Sequence, residues 1–387
     1  MYNFDKIVDR AGTDNVKYDL REAYFGKADV LPMWVADMDF ETPDFIRNAV
    51  IQRAKHPIYG YSFRSDTYFK SIIQWVERRH HWRLEKDWIL FSPGIVPALN
   101  MATLTYTKPG DGILVQSPVY FPFFSAITNH KRKLLENQLV YQDGKYFIDF
   151  DDFEKKAKDA SMFFLSNPHN PVGRLWTEEE LRKMGEICLE NEVIIIADEI
   201  HCDLVLPGFK YTPMATLSEE ISRKTVTCIA PSKTFNIAGM STSSLIIEDE
   251  EIRKQFAQTI DNVHVGSGNL FGNEASIAAY TNGDLWLDEL LTYIDGNFRL
   301  LGDFIANEIP NLKLINAEAT YLAWIDFRKT GLSDEEIKHK LLHEAKLGLS
   351  PGPVFGSGGE GFQRMNLATP KANVLTALNR LKSVFGS

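Results

Sequence analysis

The strongest constraint on what this chain can fold into is a series of short apolar runs, separated by helix-like segments, that begins near residue 88. The runs are Trp88 to Ser92, Gly112 to Gln116, Met162 to Ser166, Val193 to Ala197, Val226 to Ala230 and Ser243 to Ile247. Several are apolar at consecutive positions, as strands buried on both faces must be. Such strands alternating with helices predict an α/β core on a mainly parallel sheet. Between two of the runs, Thr177 and Glu180 have the spacing of a capping box, after which Leu181, Met184, Ile187 and Cys188 recur on one helical face. That segment is expected to be a crossover helix.

The chain has 387 residues, more than the 250 to 300 or so that one core usually serves, so two domains are expected. After the strand series ends, a second capping box (Ser333 with Glu336), the run Ala323 to Asp326 and a glycine-rich loop at Gly356 to Gly361 predict a smaller C-terminal unit. The expected division is an N-terminal segment, 1–47, joining the small domain, a large domain at 48–285 and a small one at 286–387. A formal net charge of −10 without long like-charge blocks argues against nucleic acid or anionic lipid as partners. The N-terminus lacks an apolar signal core, and no stretch approaches the roughly 18 apolar residues of a spanning helix, so a cytoplasmic protein away from membranes is expected. Cys188, Cys202 and Cys228 are widely spaced without a CxxC pair, which predicts buried free thiols and no metal site.

Four motifs stand where strands run out, the edge at which open α/β sheets bind ligands. Asp198 follows the apolar run Ile194 to Ala197. Lys233 follows Val226 to Ala230, among small and apolar neighbours that favour an unprotonated amine able to form a Schiff base with a carbonyl. Phe91-Ser92-Pro93-Gly94-Ile95-Val96 passes from strand through glycine into a helix start, where free N–H groups and the helix dipole suit a phosphate. Ser166 to Gly173 sets two Asn-Pro pairs, including Asn170-Pro171, before a helix.

In this order the motifs resemble the fold-type I pyridoxal 5'-phosphate (PLP) enzymes of the aminotransferase superfamily, along nearly the whole chain. The most specific pieces are Ser232-Lys233-Thr234-Phe235-Asn236, Asn167-Pro168-His169-Asn170-Pro171 and Asp198-Glu199-Ile200-His201. The resemblance implies a large domain with a mainly parallel seven-stranded sheet and a smaller α+β domain. It further implies that Lys233 binds PLP and serves as general base, that Asp198 pairs with the pyridine nitrogen, and that Asn170 faces the phenolic oxygen. His201 sits where many relatives have tyrosine, and Tyr120 matches the aromatic that stacks on the ring. Gly94, Ile95, Val96 and Ser232 would hold the phosphate.

Within the superfamily, Leu31 to Phe40, Tyr59-Gly60-Tyr61 and Gly361 to Asn366 resemble the cystathionine β-lyase/C–S lyase branch of the MalY and PatB type. Arg364 matches the position that binds the substrate α-carboxylate, and Tyr59 the residue that reaches a partner's cofactor phosphate in a homodimer with shared sites. Two departures from typical aminotransferases are Ala230, for a phosphate-contacting serine, and Ser241, for arginine. The implied activity is α,β-elimination from a cysteine-type amino acid to thiol or sulfide, pyruvate and ammonia. An aminotransferase, and a regulatory binding protein that keeps the PLP site, are the alternatives.

Overall fold

The computed structural model describes residues 2–386. Seven strands form the large sheet: β1 (Ile89–Ser92), β2 (Gly112–Val115), β3 (Lys133–Glu136), β4 (Ala160–Ser166), β5 (Ile194–Asp198), β6 (Thr225–Ile229) and β7 (Ser243–Ile246). Their spatial order is β1-β7-β6-β5-β4-β2-β3, and only β7 runs against the rest. All six expected runs are strands, with ends shifted by one or two residues. Trp88 closes a short 3₁₀ turn, and Asp198 is the last residue of β5. The edge strand β3, Lys-Leu-Leu-Glu, is partly exposed and charged at both ends, so it carries no long apolar run.

The reason for the consecutive apolar residues is visible in β4. Phe163 and Leu165 enter one core, whereas Met162 and Phe164 enter another on the opposite face of the sheet. The expected crossover helix runs from Glu178 to Glu190, with both capping-box bonds made and Leu181, Met184, Ile187 and Cys188 buried. All three cysteines are buried and free.

A second, antiparallel sheet is made of β8 (Lys313–Leu314), β9 (Leu322–Asp326), β10 (Ser350–Pro351) and β11 (Phe362–Asn366), in the order β8-β9-β11-β10. A 25-residue helix, Asp284–Glu308, leads into it, and the Ser333 capping box opens the helix Asp334–His339. The glycine-rich loop lies against Gly352, where a Cβ would stand 1.8 Å from the Gly359 carbonyl oxygen, so side chains are excluded at that contact. Leu31–Pro32 pairs in parallel with Leu347–Gly348, which fastens the N-terminal segment beside the small sheet. A third core runs from Phe4 and Met33 through Trp75, Phe235 and Trp286 to Leu322 and Met365.

Candidate active site

The carboxyl ends of β4, β5 and β6 and the start of the helix after β1 surround a cavity of about 200 Å³. Gly94, Ile95, Val96, Tyr120, Asn170, Asp198, His201, Ser232 and Lys233 all line it. Lys233 keeps some accessible surface, but that surface faces the cavity, and its amine donates to the Ala36 carbonyl at 2.6 Å. Burial, then the charge of Arg364, lowers the Lys233 pKa to about 8. Burial also raises Asp198 to about 7, against the pull of the Ile200 N–H and of Lys233. The His201 imidazole is held neutral, near 3, by burial and by the two cations Lys233 and Arg364. Tyr120 is raised to about 12, mainly by burial. An amine of lowered pKa opposite a buried acid, with an aromatic alongside, is the environment a Schiff-base lysine needs.

On the other side Ala36 lines the cavity, and the groups behind it and behind Asn170 come from chain far away in sequence. Arg364, on β11, is 4% exposed and donates from Nη1 to Asn170 Oδ1 at 3.0 Å, and from Nη2 to the Trp34 carbonyl at 2.9 Å and Ser350 Oγ at 3.3 Å. Its Nε has no partner, and burial lowers its pKa to about 10, so it remains a cation at neutral pH. The segment Trp34 to Phe40 is strapped from both sides. Asn366 Nδ2 donates to the carbonyls of Val35 and Asp37 at 2.6 Å each, and Asn236 bonds Met38 through both its N–H and its carbonyl, and also the Phe40 carbonyl. Tyr321 Oη donates to Ala36 O at 2.8 Å, so Lys233 and Tyr321 share one acceptor. The sequence does not show these anchors of the strap because they engage its backbone groups, which any residue supplies.

The phosphate expectation has a geometric counterpart. Gly94 caps the helix Ile95–Tyr106, and no side chain caps its first N–H groups. Neither conformation nor crowding by protein demands glycine here, since φ is 170° and the nearest atom to an added Cβ is Pro97 Cδ at 3.4 Å. The missing side chain instead leaves the helix end open to the cavity. Ser232, Ser241 and Thr242 line the same cavity, which has no arginine in its wall. Two buried atoms there lack partners, Thr242 Oγ1 and His201 Nδ1, as expected where a polar cofactor completes the hydrogen bonding. The residues therefore fit a pyridine phosphate. Nothing in the sequence marks Thr242, since a threonine beside a strand is ordinary.

Tyr59 lies outside the cavity of its own chain. It is 58% exposed, and its hydroxyl donates to the Ala54 carbonyl at 2.5 Å. A further polar group stands behind the Lys233 loop: Asp203 accepts from Thr234 Oγ1 at 2.8 Å and Trp75 Nε1 at 3.0 Å, and pairs with His80 at 2.8 Å. His80, Cys202 and Asp203 thus gather three possible metal ligands, but both Asp203 oxygens are already engaged. Sequence spacing gave no sign of this group.

The sequence model of class I and II aminotransferases matches residues 28–381, and the chain belongs to that family. It is 45% identical to cystathionine beta-lyase PatB of Bacillus subtilis strain 168 over 98% of this chain and 99% of the relative. A PLP-bound protein of Clostridium difficile 630, provisionally described as an aminotransferase, superposes with a TM-score of 0.98 at 42% identity, with both chains fully covered. The PLP-bound C–S lyase of Staphylococcus hominis superposes at 0.93 with 33% identity, covering 100% of this chain and 99% of that one.

Proposed function

We propose that the chain is a PLP-dependent C–S lyase that eliminates a thiol or sulfide from the β-carbon of a cysteine-type amino acid, leaving pyruvate and ammonia. The observation that carries this reading is the convergence of Lys233, Asp198 and Asn170 on one cavity at the strand ends, with Arg364 bonded to Asn170 beside it. Likeness to PatB and to the Staphylococcus hominis lyase favours elimination among the reactions such a site supports.

Arg364 binds the substrate carboxylate through its unpartnered Nε–H side, already oriented by Asn170, Trp34 and Ser350. Lys233, with its lowered pKa, holds the cofactor, and its amine then takes the α-proton. Bound PLP supplies the sink for the electron pair left at the α-carbon. Asp198, as a carboxylate, would keep the pyridine nitrogen protonated, and Tyr120 would cover the ring. Gly94, Ile95, Val96 and Ser232 would hold the phosphate with backbone and hydroxyl donors in place of an arginine.

The large and small sheets would act as two domains divided near residue 285, with residues 1–47 joined to the small one. A homodimer completes the proposal. Tyr59, Tyr61 and Phe63 are 58%, 107% and 83% exposed, a run of aromatics that a second copy would cover. Sedimentation of active enzyme should give twice the chain mass, and full activity in a monomer would refute the shared site. Among the described residues no helix is long and apolar enough to cross a membrane, in keeping with a cytoplasmic enzyme.

The second reading, an aminotransferase, is favoured by likeness to the Clostridium difficile protein and uses the same residues. Product partition separates the two. With cystathionine or cysteine and no keto acid, thiol or sulfide and pyruvate should appear in equal amounts. Rapid amino transfer to a keto acid with thiol release at background would replace the lyase reading.

A further inference from the structure

On the reverse side of the Arg364 strand lies a separate cavity of about 170 Å³ that shares no lining residue with the first. Phe25, Leu342, Leu347 and Leu349 make its apolar wall. Gln363, next to Arg364 on β11, also lines it, because successive strand residues face opposite ways. Gln363 is 1% exposed and its Nε2 has no hydrogen-bond partner. A buried amide left without a partner is uncommon and calls for an occupant that accepts its hydrogen bond. Lys338, exposed at the same cavity, forms no ion pair among the described residues.

We propose that this cavity is a second small-molecule site, for a short aliphatic carboxylate. Leucine side chains receive the hydrocarbon body, Gln363 donates to one carboxylate oxygen, and Lys338 neutralises the charge. The size agrees, since an apolar cavity of about 150 Å³ accommodates a benzene-sized molecule, equivalent to a chain of roughly four to six carbons. The site is close to the catalytic wall. Tyr24, which also lines the cavity, stacks on Trp34 at 4.0 Å, Phe25 meets the same indole edge-on at 5.3 Å, and the Trp34 carbonyl holds Arg364.

The probe is 4-methylpentanoate, titrated into PLP-loaded enzyme by calorimetry. Arg364 could itself bind a carboxylate, so Arg364→Ala serves as the control for the active site. The expected result is binding that persists in Arg364→Ala and disappears in Leu342→Trp, which fills the cavity. Gln363→Leu nearly preserves volume, guards against a misfolded tryptophan variant, and should weaken binding roughly tenfold. Binding lost in Arg364→Ala but kept in Leu342→Trp and Gln363→Leu would assign the probe to the active site and overturn the inference. Absence of binding at millimolar probe would equally overturn it, leaving water as the partner of Gln363. The reading of Arg364 as the substrate anchor survives either failure, because it is tested by KM for the amino acid.

Discussion

The wall of the catalytic cavity that comes from the large sheet is assembled from strand ends between residues 93 and 242, whereas on the facing side Ala36 lines the cavity and the 34–40 strap is joined behind it to residues 350 and 364. The first wall is left chemically open. His201 Nδ1 and Thr242 Oγ1 are buried without partners, and Asp198 and Lys233 are both pushed toward their neutral forms. The second is largely fixed by hydrogen bonds within the protein, with the terminal nitrogens of Arg364 bonded to Asn170, Trp34 and Ser350 and the 34–40 strap bonded by Asn236 and Asn366. Unpaired buried polar atoms cost about 1–3 kcal/mol each, a penalty that a bound polar cofactor would remove. On the facing side Arg364 Nε is left without a partner, while the two terminal nitrogens are held by Asn170, Trp34 and Ser350, so little ordering remains when substrate binds. The contrast separates a cofactor wall that is completed by its ligand from a substrate wall that is preorganised by the protein.

The largest expected effect that tests this division is at Arg364. Arg364→Ala should weaken substrate binding by roughly 2–5 kcal/mol, seen as a rise in KM, while PLP content measured by absorbance stays unchanged. Loss of PLP with unchanged KM would erase the distinction between the walls. A smaller effect is expected at Asn236, which touches no substrate. Asn236→Ala removes its three bonds to the strap and should lower stability by roughly 1–3 kcal/mol in thermal unfolding, with a modest rise in KM as Trp34 loosens. An unchanged melting temperature and KM would mean that the strap does not hold the second wall.

The same division explains what could be read in the sequence. Strands buried on two faces write themselves as apolar runs, so β1, β2, β4, β5, β6 and β7 were legible, and Asp198, Lys233, Asn170 and Gly94 were marked by standing at their ends. The edge strand β3 lacked that mark, because half-exposed edge positions admit lysine and glutamate. The strap was legible only as a resemblance at Leu31 to Phe40. Its working atoms are the carbonyls of Trp34, Ala36 and Met38, whose use depends on a chain that returns nearly 200 to more than 300 residues later. The His80–Asp203–Thr234 group was hidden for the same reason, since its members are ordinary surface or turn residue types until folding buries them together.

The two walls meet at Lys233, which lines the cavity together with Asp198 on one side and donates to Ala36 on the other. Borohydride reduction of the PLP-loaded enzyme, followed by peptide mass mapping, tests that junction directly. The account predicts a single reduced adduct on the peptide carrying Ser232-Lys233-Thr234, and none when Lys233→Ala is treated in the same way. An adduct on any other lysine of the wild-type chain would contradict it.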